Sequence, residues 1–168
     1  MDKALNRATE DVGNIVGLEH VNLQQSDQRL ATLFYMAGLG LTRDPYQMPG
    51  LENMWVNIGR SQFHLPTGEP QNIRGLTGLV IPNREALLRR LEKVKPQLLG
   101  TKFAFAAANG HVDAVSPWGH KVRCHEPDPA RFGRMALGIP YIEFDAPPGS
   151  AAAIARFYRE IMQAPAET

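Results

Sequence analysis

Residues 18–40, 75–96 and 139–162 each carry one strand-then-helix pattern, so the chain must fold from a repeated supersecondary unit. The first copy is the clearest. In Leu18–Gln24, Val21 and Leu23 alternate with His20, Asn22 and Gln24, which is the period of a strand with one apolar and one polar face. Ser26 is placed to cap a helix, with Asp27 suited to its positive end. Leu30, Leu33, Phe34 and Ala37 follow at helical spacing, and Gly38 is the expected stop.

Short strand candidates follow each of the first two helices. After the first come Leu41–Asp44, Asn53–Ile58 and Ser61–Leu65, the last two joined by a tight Gly59-Arg60 turn. In the second copy, the strand Leu76–Ile81 leads through Pro82-Asn83 into a helix bearing Leu87, Leu88, Leu91 and Val94, closed by Pro96. Lys102–Ala107, His111–Val115 and Gly119–Cys124 complete it. The third copy has a strand from Ile139 and a helix whose apolar face is Ile154, Phe157, Tyr158 and Ile161, with no further strands after it. The fold class is therefore α+β: paired β-α-β-β-β modules forming a cupped mixed sheet, with a partial third module at the C-terminus. The expected division is an N-terminal arm over 1–16, a paired-module domain over 17–126, a linker over 127–138, and the start of a further module over 139–168. That last segment is expected either to pack on the others as a helical appendage or to be completed by more chain or by a partner.

The bulk composition narrows the partners. A net charge of +1, with both signs interspersed, leaves no basic stripe for nucleic acid. A lone cysteine, Cys124, excludes an internal disulfide framework and fits a reducing, cytoplasmic compartment. No run approaches the roughly 20 apolar residues of a membrane span, so neither a membrane nor nucleic acid is the expected partner.

Two side-by-side β-α-β-β-β modules, with His20-Val21-Asn22-Leu23 as the first strand and Leu33-Phe34-Tyr35 ending its helix, resemble the vicinal oxygen chelate superfamily. This is the glyoxalase, bleomycin-resistance and extradiol-dioxygenase group. The turn Ser116-Pro117-Trp118-Gly119-His120-Lys121 is similar to the Asp-Pro-x-Gly turn before the last strand in that group. The resemblance implies a cup that binds a small molecule. It further implies metal ligands from the first and fourth strands of each module, and activities that range over lyases, isomerases and dioxygenases. Carried over position by position, His20 and His64 are the expected metal ligands and catalytic residues. Leu76 and Arg123 stand where the second module's ligands would be. Tyr141 stands where the third module would place a histidine. The resemblance also implies that two-domain dioxygenases keep the metal in one domain only, so a chain of this kind fits the N-terminal part of a longer two-domain member.

Strand parity gathers His20, Asn22, Gln24, Trp55, Asn57, Gln62, His64, Arg123 and His125 on one polar face, a load that suggests a pocket. Two readings stay open. One divalent ion (Zn, Ni, Fe or Mn) fits if a third donor such as His125 or Glu126 joins His20 and His64. Alternatively a metal-free pocket binds an anionic or aromatic molecule, with Trp55 as a wall, Asn57 beside it, Arg123 as a carboxylate clamp and the histidines as donors or base. A non-catalytic binding or structural domain is the contrasting function. A homodimer in which modules pair between chains uses the same local pattern. Cys124 reads as a small core residue, and His111 and His120, near turns, as solvated.

Overall fold

A computed structural model describes residues 17–47 and 50–168. The expected arm over 1–16 lies outside the described residues. Two compact units divide the chain: Leu18–Phe144, and a unit that includes Asp145–Thr168.

In the larger unit the sequence periodicities become two mixed sheets. The first holds β1 (His20–Asn22), β2 (Thr42–Arg43), β3 (Asn53–Ile58) and β4 (Ser61–Pro66), in the order β1-β4-β3-β2. The second holds β5 (Gly75–Val80), β6 (Ala104–Ala108), β7 (His111–Val115), β8 (Lys121–His125) and β9 (Gly138–Phe144), in the order β6-β7-β8-β5-β9. Remove β9 and the orders match strand for strand. In each sheet the first strand of the module runs parallel to the last, β1 on β4 and β5 on β8, while the others pair antiparallel. Parallel neighbours need a crossover, and the module's helix supplies it. The β-α-β-β-β repeat expected from the sequence is thus present twice.

The third copy's strand does not start a sheet of its own. β9 lies antiparallel against the free edge of β5, with Tyr141 opposite Gly78 and a register shift between Gly78 and Val80. Covering that edge removes unpaired backbone groups from the side of the sheet. Gly78 makes the fit possible, since a Cβ there would overlap the Tyr141 ring.

The helices differ in detail from the sequence reading. The first, α1 (Gln28–Ala31), is capped by Asp27, whose Oδ1 accepts from the Arg29 and Leu30 amides at 2.7 and 3.0 Å. Ser26, the expected cap, instead accepts from the Trp118 indole at 2.8 Å, so its hydroxyl is used to tie the two modules together. After Ala31 the chain widens into a π-helical turn (Thr32–Gly38) before Gly40, at φ 80°, reverses it. The helical path ends at Gly38 as expected, and Gly40 is the residue that tolerates the left-handed backbone of the turn. The helix α2 (Arg84–Val94) begins at Asn83, whose side chain accepts from the Ala86 amide. Pro96 does not end the helical path abruptly, because a 3-10 turn (Lys95–Leu98) follows. Proline is tolerated there, at the first positions of a new turn, where its missing N–H has no partner to lose. A four-residue helix, α3 (Pro129–Phe132), occupies the expected linker.

Strand alternation builds the core. Met54, Val56 and Ile58 from β3 and Phe63 and Leu65 from β4 are buried with Phe34, Tyr35, Leu87 and Leu91 from the helices. Each fully buried large apolar side chain contributes about 1.5–3 kcal/mol. Cys124 lies in this core, as its parity predicts, and burial pushes its thiol up to about 12. The native protein is expected to resist a thiol reagent such as DTNB and to react with one equivalent only on unfolding; rapid native labelling would contradict this packing.

In the smaller unit, α4 (Ala151–Glu160) keeps the expected apolar stripe, and Ile154, Phe157, Tyr158 and Ile161 on it are exposed. None of the described helices is long and apolar enough to cross a membrane.

Candidate functional site

The residues expected to form one polar face fall into two groups, one on each sheet. On the first sheet, β3 and β4 place Trp55 directly opposite His64, and the indole and imidazole stack at 4.1 Å with their planes 12° apart. β1 pairs with β4 on its other side and brings His20 to the same surface, 5.2 Å from Trp55 and 6.4 Å from His64 between ring centroids. Strand parity alone forces this convergence: residues of one phase on three neighbouring strands must emerge on one face.

The partners of each imidazole set its free nitrogen. His20 Nδ1 donates to the Glu19 carboxylate at 2.8 Å, which makes Nε2 the acceptor whenever the ring is neutral. His64 Nε2 donates to Asn53 Oδ1, which leaves Nδ1 as the acceptor. Burial, and then the neighbouring His20, hold the His64 pKa below the ordinary imidazole value, so this ring stays neutral in the physiological range. Asn57 is engaged within the sheet, with its Oδ1 accepting from Gln62 Nε2 at 2.7 Å while Gln62 also donates to Asp44 at 3.0 Å. Two backbone amides, Gln47 and Tyr46, lead the causes that lower the Asp44 pKa, so this end of the face carries a fixed negative charge.

Arg123 is on the second sheet. Its Nε and Nη2 donate to the two oxygens of Asp113 at 2.8 and 3.2 Å, an in-register neighbour on β7. That bidentate pair lowers the Asp113 pKa and raises that of Arg123. The fork expected to clamp a substrate carboxylate is therefore already occupied by a protein carboxylate, with Nη1 left over. His125 is beside it, buried, with Nε2 2.9 Å from the Tyr141 hydroxyl. Its burial is the leading reason that its pKa falls below the ordinary value.

His20 and His64 supply two nitrogen donors. Glu19, the nearest carboxylate, is turned to His20 Nδ1 as an orienting partner. Among the described residues no three His, Cys, Asp or Glu side chains form a metal-ligating group. Two imidazoles fall short of the three or four protein ligands that hold a resident ion.

His120, expected to be solvated, is fully buried. Tyr35 Oη is 3.1 Å from its Nδ1 and Thr77 Oγ1 is 3.0 Å from its Nε2. The turn that carries it is drawn inward by Ser116, whose Oγ accepts from the Trp118 and His120 amides at 3.3 and 3.1 Å. Serine here plays the part that a turn-initiating aspartate plays elsewhere. The sequence signal for this network was the Ser116–Gly119 turn itself. Tyr35 and Thr77 carried none, since each sits in an apolar pattern.

No protein-family model matches the sequence, and no curated protein matches it. Solved structures do match. A candidate dioxygenase from Bacillus subtilis subsp. subtilis str. 168 gives a TM-score of 0.52 at 17% identity, over 87% of this chain and 54% of the other. A glyoxalase/bleomycin resistance protein/dioxygenase family enzyme from Burkholderia phytofirmans PsJN gives 0.49 at 14% identity, over 66% of this chain and 98% of its own. The fosfomycin resistance protein FosX from Listeria monocytogenes gives 0.48 at 16% identity, over 68% and 93% respectively. Identities this low speak to fold and not to substrate. The chain spans about half of the Bacillus subtilis protein, the one of the three whose likeness is strong enough to support the fold. The likeness to the Bacillus subtilis structure shows the α+β fold of paired β-α-β-β-β modules, the fold that the resemblance to the glyoxalase, bleomycin-resistance and dioxygenase superfamily implied.

Proposed function

We propose that the chain is a small-molecule-binding member of this superfamily. Its ligand is an aromatic molecule bearing a hydroxyl group, taken up on the polar face of the first sheet. The observation that carries this reading is the His20–Trp55–His64 cluster, in which each imidazole has one ring nitrogen without a protein partner beside the half-buried indole. In their neutral tautomers the two rings suit a ligand O–H, and a stacked aromatic pair suits a flat apolar body. Asn57 stands at the rim of the same face. Arg123 serves the second sheet instead.

The same two nitrogens could withdraw a proton from the bound hydroxyl, the role a lyase, isomerase or dioxygenase of this fold would need from a base near neutral pH. A binding domain needs only the hydrogen bonds. Turnover separates the two.

Titration of the protein with phenol and with catechol, followed by tryptophan fluorescence, tests the reading. Trp55→Phe assigns the signal, because Trp118 is already committed to Ser26. Saturable binding is expected, weakened about tenfold or more when His20 and His64 are both changed to Ala. Undiminished binding in that double variant refutes the site. Metal analysis of the purified protein decides the second reading: about one divalent ion per chain, lost in the double variant, would assign the histidines to a metal whose remaining ligands come from the bound molecule.

A further inference from the structure

The second sheet has a hollow of its own, of about 410 Å³, whose lining includes His111, Arg123, His125, Arg131, Tyr141 and Glu143. It shares no residue with the His20–Trp55–His64 face. Its floor is set by strand pairing: Arg123 and His125 from β8 lie beside Asp113 and His111 of β7, while Tyr141 of β9 lies across Gly78 of β5. We propose that this hollow binds a compact oxyanion, a carboxylate or phosphate group of a small metabolite, through the Arg131 guanidinium together with His125 and the spare Arg123 Nη1.

Three observations converge on an anion. The Arg131 side chain makes no hydrogen bond or ion pair among the described residues; its guanidinium lies over the Phe132 ring, 4.9 Å from the centroid. A fork held in place by an aromatic face, with all its donors open, is built for a planar oxyanion. Second, His125 is only 4% exposed, yet its Nδ1 has no hydrogen-bond partner. When the Tyr141 hydroxyl donates to Nε2, Nδ1 carries a covered proton without an acceptor, which a turn of the ring presents to an oxyanion in the hollow. Third, burial is the leading reason that the His125 imidazole stays uncharged, and the Arg131 and Arg123 guanidiniums add to it. Asp113 offsets Arg123, which leaves the Arg131 charge to attract an anion. Glu143 is the lining's one carboxylate, and it favours a ligand whose oxyanion is joined to a hydrogen-bond donor.

NMR titration of the full chain tests this, reading the His125 and His111 ring resonances against inorganic phosphate and against acetate at constant ionic strength. Saturable shifts are expected, with affinity falling about tenfold in Arg131→Gln and several-fold in Tyr141→Phe. Arg131 is exposed, so its replacement leaves the core intact. Arg29→Gln, an exposed arginine on α1, is expected to bind as the native chain does. Tighter binding of phosphate points to a phosphate ester, and tighter binding of acetate to a carboxylic acid. Shifts that rise linearly without saturating, or an Arg131→Gln titration that overlays the native one, would overturn the proposal.

Discussion

Replacing His120 by Ala is expected to lower the unfolding free energy by about 3–5 kcal/mol. The imidazole is buried between Tyr35 of the first module and Thr77 of the second, and it satisfies both hydroxyls. Its loss leaves a cavity and two buried polar groups without partners, and each such group costs about 1–3 kcal/mol. The ring also links stability to pH. Burial pushes its pKa down to about 4 in the folded protein, against an ordinary value near 6.5. The unfolded chain therefore binds the proton more readily between these two values. The contribution is complete above about pH 6.5 and is lost as the pH falls toward 4, by about 3 kcal/mol in all. Carboxylates held low, such as Asp113, act below this window, and the difference between native protein and His120→Gln isolates the one ring. Urea unfolding of both proteins at pH 7 and pH 4.5 reads it directly. An identical pH slope in the variant would show that His120 is not titrating against burial.

The second large effect is expected at Gly59. The sequence offers Gly59-Arg60 as a hairpin turn, and Gly59 at φ 66° meets the need for left-handed backbone at its first central position. The tertiary structure adds a second demand. The Leu137 carbonyl passes so close that a Cβ at position 59 would overlap it. Gly59→Ala therefore combines backbone strain with a steric overlap against main chain, which cannot rotate away as a side chain can. A loss of about 2–4 kcal/mol is expected, well beyond the ordinary cost of alanine in a left-handed turn. Gly110, also at positive φ but with open space around it, is the control: Gly110→Ala bears the strain alone and is expected to cost about half as much. Equal midpoints for the two variants in urea would remove the contact with Leu137 from the account.

Much of the scaffold was legible because it is written in local periods. Alternation at period two placed β3 at Asn53–Ile58 and β7 at His111–Val115 as observed, and parity put His20, Trp55 and His64 on a common face. Errors gathered where a side chain had a choice of partners. Ser26 and Asp27 are both competent caps, and only the arrival of Trp118 from far along the chain committed Ser26 elsewhere. A histidine beside a turn looks solvated unless one knows that Tyr35 and Thr77 await it. The polar face divided for the same reason: parity says which way a residue points but not which sheet its strand joins.

The sequence by itself determined the repeated module, the parity of its strands and the burial of Cys124, because each follows from backbone geometry within a few residues. Only the tertiary structure decided that Asp113 occupies the fork of Arg123, that β9 closes the edge of β5, and that His120 lies in the core. Those outcomes depend on contacts between residues distant in the chain. Local pattern carries no information about which of several equally able partners will be nearest once the chain has folded.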